Sequence, residues 1–148
     1  MGGDFYALVD TPHAIRVVIG DVRGKGLPAL AVAAAVLGSF REAAYEAADL
    51  AILAGRLETT LLRDDAAALA PSHPGELFAI AVLAEIPRRS GNITILSCGH
   101  PPPLLKHPGG VEFLNTGDPA PPLNLGMLNS TVHRPRRFRF QPGDQLLF

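Results

Sequence analysis

At 148 residues, with 47% hydrophobic and 18% charged side chains and a formal net charge of -1, the chain has the size and balance of one globular domain with its own core. That balance sets up no global field for nucleic acid or an anionic membrane surface, so neither is expected as a partner. The single cysteine, Cys98, excludes an internal disulfide, no apolar run approaches the about 20 residues of a membrane span, and no basic-then-apolar leader opens the chain; a soluble, cytoplasmic protein is predicted.

Residues 3–9 and 14–20 are short runs rich in β-branched and aromatic residues around "DTPH", whose Asp10, Thr11 and Pro12 supply turn chemistry, so they predict a hairpin. A loop over 10–13 sets Val9 opposite Ala14 and Asp4 opposite Ile19. One or two residues of bulge or loop adjustment bring Asp4 opposite Gly20 or Asp21, and directly paired residues have Cβ atoms about 4.5–5.5 Å apart. The segment "GKGLPALAVAAAVLGSFREAAYEAA" then predicts a helix over 27–47: Pro28 suits a first turn, and Leu30, Val36, Leu37, Phe40 and Ala44 recur at helical spacing. Asp49 is the expected N-cap of a second helix, with Leu50, Leu53, Leu57 and Leu61 on one stripe until "PSHPG" ends it near residue 70.

"ELFAIAVLAEI" is apolar on both faces and reads as a buried central strand, turned by "RRSGN" into "ITILSC". "LLKHPGGVEFL" predicts a third hairpin, residues 115–130 a Pro/Gly/Asn-rich loop, and "RFRF" and "QLLF" two further strands around "QPGD". Hairpin-paired strands with grouped helices argue for an α+β fold with antiparallel sheets, and no internal repeat is visible. The start on Gly2-Gly3-Asp4 and the strand that stops at Phe148 predict a single domain over 1–148, incomplete at both ends, with a strand edge through which two copies could pair into a homodimer.

The chemistry rests on Asp4 and Asp21. Two ionised carboxylates on facing positions repel, so one must take up a proton or both must share a cation. All-oxygen ligation favours magnesium or manganese, and no Cys/His spacing suits structural zinc. Two such ions about 3.5–4 Å apart polarise a water and hold a transferring phosphoryl group. The plain alternative makes both acids strand-end and turn residues, where Gly-Asp is common, and spacing alone leaves the two readings open.

"GGDFY", "GDVRGKGLPA", "FAIAVLAEI", "CGHPPPLL" and "PGDQLLF" run in register from residue 2 to residue 148, and with them the chain resembles PPM-type serine/threonine phosphatases of the stage II sporulation protein E family. The resemblance implies a sandwich of two antiparallel β-sheets flanked by helices, with two manganese or magnesium ions between the sheets at one end. It implies that Asp4 is a metal ligand, that Asp21 bridges both ions and that the Val22 carbonyl completes the coordination. The implied reaction is attack of a metal-activated water on phosphoserine or phosphothreonine of a regulatory protein, of the anti-sigma factor antagonist type. The chain departs from the family pattern at Ala7, Arg23, Lys25 and Cys98. Arg23 and Lys25 share a loop with Asp21 and become candidates for substrate phosphate contact beside the alternative of a solvated loop. Because the family's later Thr-Asp-Gly segment and its further Asp do not follow "GDQLLF", a partial metal site with weak or no turnover is expected.

The sequence leaves three rival readings. "GDVRGKG" is one residue short of a P-loop and carries Gly26 where Ser or Thr should hold magnesium. "GKGLPA" satisfies G-x-G-x-x-A, but no strand ending in an acid follows about 20 residues on. A noncatalytic phosphoprotein-docking module is the alternative of a different class. His100 is read as a hydrogen-bonded loop residue, and His13, His73, His107 and His133 as turn or strand-end residues. Cys98 is read as a small buried strand residue, and "RPRRFRF" as a strand with a solvated face.

Overall fold

Alternation decides the first layer. Along β1 (Asp4–Asp10) and β2 (Ala14–Val22) every second residue is buried, so Phe5, Ala7, Val9, Val18 and Val22 form one apolar face while Asp4, Tyr6, Leu8, Val17, Ile19 and Asp21 fall on the other. The computed structural model describes residues 2–67, 77–118, 120–125 and 133–148. The remaining elements are α1 (Gly26–Glu46), α2 (Leu50–Ala67), β3 (Ala79–Pro87), β4 (Asn92–Cys98), β5 (Leu104–His107), β6 (Gly110–Phe113), β7 (Arg136–Arg139) and β8 (Gln145–Leu147). Two antiparallel sheets result, a five-stranded one in the order β1-β2-β3-β4-β7 and a three-stranded one in the order β6-β5-β8. The α+β sandwich is the expected one.

The first turn selects, among the predicted registers, the one that sets Asp4 opposite Asp21. Thr11 Oγ1 donates to the Ala14 carbonyl at 2.7 Å and accepts from the Ala14 N–H at 3.1 Å. The Thr11 N–H also donates to the Ala14 carbonyl at 3.0 Å, so Thr11 faces Ala14, only Pro12 and His13 remain at the tip, and the register shifts by two residues. Val9 therefore faces Arg16 and not Ala14, and Asp4 faces Asp21 and not Ile19.

Helices cover one face of the large sheet only. Phe40, Leu50, Leu53, Leu57 and Leu61 are fully buried there with Val18, Leu83 and Leu96, each large side chain contributing about 1.5–3 kcal/mol relative to exposure. Asp49 caps α2 as predicted, its carboxylate accepting from the Ile52 N–H at 2.8 Å. The expected end of this helix near residue 70, and His73 with it, lie outside the described residues. α1 is long and apolar enough for a membrane span, with hydropathy 1.4, yet Ala29, Val32, Ala33, Val36, Phe40, Ala43 and Ala44 are buried in the helix-facing core. The small sheet lies on the opposite face, where Leu105 and Leu114 pack with Val82, Ala84, Ile93 and Ile95. β3 is thus buried on both sides, as its doubly apolar pattern requires. Three short strands leave β1 uncovered, and Tyr6 and Leu8 stay 78% and 62% exposed.

One buried charge was not legible. Arg16 sits on the helix face, pairs with Glu85 at 2.6 Å and donates to the Ala44 and Ala47 carbonyls at 3.0 and 2.7 Å. It neutralises Glu85 and satisfies the carbonyl end of α1 together.

Candidate metal centre

Asp4 opens β1 and Asp21 lies near the end of β2, and the two are direct cross-strand partners. The Val22 N–H donates to the Gly3 carbonyl at 3.0 Å, which makes Gly3 and Val22 a hydrogen-bonded pair. By alternation the next pair, Asp4 and Asp21, falls where antiparallel strands approach most closely, with Cα atoms about 4.5 Å apart. Both side chains leave the sheet on the face away from the helices; Asp4 is exposed and Asp21 half-buried. The hairpin predicted from sequence thus brings the two acids together.

The glycine ahead of each acid has a steric cause. A Cβ on Gly3 would stand 2.4 Å from the Val22 carbonyl oxygen, and one on Gly20 would stand 2.3 Å from the Ile80 oxygen and 2.5 Å from the Phe5 ring. Neither contact is possible, so both positions require hydrogen as the side chain. The same observation puts the Val22 carbonyl beside Gly3, at the level of the acid pair.

Neither carboxylate has a hydrogen-bond or ion-pair partner among the described residues, although like charges set opposite each other destabilise a ladder by roughly 0.2–1 kcal/mol. The donor set is hard and anionic, which fits magnesium or manganese. It is also small: no group of three or more His, Cys, Asp or Glu among the described residues is arranged around a metal position. Two carboxylates and a carbonyl fit part of an octahedral sphere, with the remaining positions left to water.

The loop after Asp21 adds positive charge. The Arg23 N–H donates to the Phe78 carbonyl at 2.9 Å, and the Arg23 guanidinium lies 5.3 Å from the Phe78 ring centroid, a cation–π seat. Phe78 went unremarked in the sequence, yet extending the β2–β3 register past Val22 and Ala79 makes it the partner of Arg23. Lys25 is exposed and precedes the first turn of α1, making no side-chain cap to it.

The other candidates resolve to structure. His100 Nδ1 contacts the Pro101 carbonyl at 2.9 Å, as a loop histidine. Cys98 is buried in β4, and burial, helped by the Glu58 charge, pushes its thiol up to about 12. His133 was expected to be an ordinary strand-end residue, but it stands between Cys98 Sγ, 3.9 Å from Nδ1, and Glu58, 3.4 Å from Nε2. A thiol held neutral and out of solvent is no nucleophile, so this arrangement ties α2 to β4.

The family model for stage II sporulation protein E (SpoIIE) matches residues 11–148, a stretch that contains Asp21, Val22, Arg23 and Lys25 and excludes Asp4. No curated protein matches the sequence. Among solved structures, the RsbU and RsbW domains of a Mycobacterium tuberculosis protein are similar over 100% of this chain and 38% of theirs, at TM-score 0.79 and 22% identity. The PP2C phosphatase domain and regulatory fragment of SpoIIE from Bacillus subtilis match over 97% of this chain and 40% of theirs, at TM-score 0.76 and 18% identity. RsbX in complex with magnesium matches over 99% and 64%, at TM-score 0.72 and 16% identity. The chain therefore spans less than two thirds of each of these three, and they share its fold.

Proposed function

The chain belongs to the stage II sporulation protein E (SpoIIE) family, and from that premise we propose that it is a metal-dependent protein serine/threonine phosphatase module acting in the cytoplasm on a phosphorylated regulatory protein of the anti-sigma factor antagonist type. The observation that carries this reading is the facing, unneutralised pair Asp4 and Asp21. A pair of manganese or magnesium ions bound there supplies Lewis-acid polarisation of a water and neutralises charge on the phosphoryl group. Asp4 on the edge strand β1 and Asp21 on β2 would hold the ions, and the Val22 carbonyl would add a neutral oxygen. Arg23, seated on Phe78, and Lys25 receive the substrate phosphoryl oxygens and turn the phosphoserine toward the acids. Gly3 and Gly20 keep the strands close enough for both acids to share a ligand.

Two carboxylates hold such ions weakly, so this chain turns over slowly or not at all. Manganese titration by calorimetry, paired with hydrolysis of p-nitrophenyl phosphate and of a phosphoserine peptide, tests the reading. Weak manganese binding that disappears in Asp21→Asn is expected. Unchanged metal binding in that variant overturns the site, and full turnover by the wild-type chain overturns the weak-site argument. The small ligand set also favours a second reading, a noncatalytic phosphoprotein-docking module, for which Asp21→Asn changes neither metal binding nor turnover.

A further inference from the structure

At the opposite end of the large sheet, the β1–β2 turn and the β3–β4 turn lie side by side. Arg88 locks them: its N–H donates to the His13 carbonyl at 3.2 Å, its Nε to the Thr11 carbonyl at 3.2 Å, and its guanidinium pairs with Asp10. Between the turns lies a depression of about 500 Å³ lined by Pro12, His13, Pro87, Arg88, Arg89 and Ser90. No carboxylate lines it, and the neighbouring acid, Asp10, is engaged by Arg88. The Arg89 guanidinium and the His13 ring have no hydrogen-bond or ion-pair partner among the described residues. Two prolines and the Arg88 strut hold the walls in place, so a ligand meets a preformed surface.

We infer that this depression is a second binding site, separate from the acid pair, that takes the phosphate group of a phosphorylated peptide. Arg89 supplies a planar fork of donors that suits two phosphate oxygens at once, and the His13 ring adds a further donor beside it. The volume falls in the range of sites that take drug-sized ligands. A lone inorganic phosphate, only a few times the about 30 Å³ share of a water, fills a fraction of it. The rest accommodates the peptide that carries the phosphate. Along β1 the site lies about 20 Å from Asp4, at roughly 3.3 Å per residue, so occupation anchors a partner without entering the acid pair.

The test is fluorescence anisotropy in EDTA and low salt with three probes: a labelled phosphoserine peptide, its unphosphorylated twin, and inorganic phosphate as competitor. EDTA leaves Asp4 and Asp21 as bare negative charges that repel phosphate, so failure here is distinguishable from failure of the metal site. Binding of the phosphopeptide, at least tenfold weaker in Arg89→Glu and weakened in His13→Ala, is expected. The variants lie on exposed turns, and unchanged melting temperatures show that they remain folded. Equal binding of the unphosphorylated twin, no binding at all, or binding indifferent to Arg89→Glu overturns the inference. Binding of inorganic phosphate alone overturns its assignment to a peptide.

Discussion

The large sheet contains two charged cross-strand pairs built by the same alternation, and they differ in sign and setting. Arg16 faces Glu85 on the helix side, where the charges cancel and the guanidinium also satisfies the carbonyls of Ala44 in α1 and of its C-cap Ala47. Asp4 faces Asp21 on the other side, where nothing among the described residues cancels either. The first pair is what folding alone requires of a charge that must be buried. The second works against the ladder that contains it, which is the feature on which the proposed metal site rests. One pair is neutralised within the chain and the other is not.

Breaking the first pair has the largest expected effect. Arg16→Met strands Glu85 and the Ala44 and Ala47 carbonyls, and should lower unfolding free energy by about 3–5 kcal/mol in urea melts. The double variant Arg16→Met with Glu85→Leu should recover much of that loss, because no uncompensated charge remains. Gly20→Ala attacks the strand spacing under the second pair. Its Cβ meets the Ile80 oxygen, so a loss of about 1–3 kcal/mol or more is expected, together with weaker manganese binding. The interior side is sharpened by Cys98, whose thiol should resist alkylation at pH 8 in the folded protein and react once urea unfolds it. Because its folded pKa is raised, the stabilisation it brings is complete below the ordinary thiol value of 9.0 and is lost as pH rises toward about 12. Melting curves should therefore steepen in their pH dependence above pH 9, and Cys98→Ala should remove that component. Asp21→Asn has the smallest effect and the opposite sign, stabilising the metal-free chain by about 0.2–1 kcal/mol in EDTA. A destabilised Asp21→Asn would show that the acid has a structural partner and would erase the contrast.

The acid pair was legible because alternation is a local property: once both runs are strands of one hairpin, the choice of facing residue narrows to a few. The register itself was not, since it depended on the Thr11 hydroxyl capturing the Ala14 carbonyl. Helix α2 was readable from Asp49 and its leucine stripe, which are also local signals. Arg16 gave no signal, because Glu85 is 69 residues away in sequence. His133 gave no signal for the same reason, as its partners lie on α2 and β4. The β3 pattern showed burial on both faces without showing which layer covers which.

The outward face of β1 reads Asp4, Tyr6, Leu8, Asp10, two apolar side chains bracketed by acids on an edge strand. Such flanking charges act as gatekeepers against strand-to-strand sticking between molecules. Asp4 therefore guards colloidal behaviour as well as any ion, and neutralising it, by substitution or by acid, trades a candidate ligand for a tendency to clump in concentrated samples.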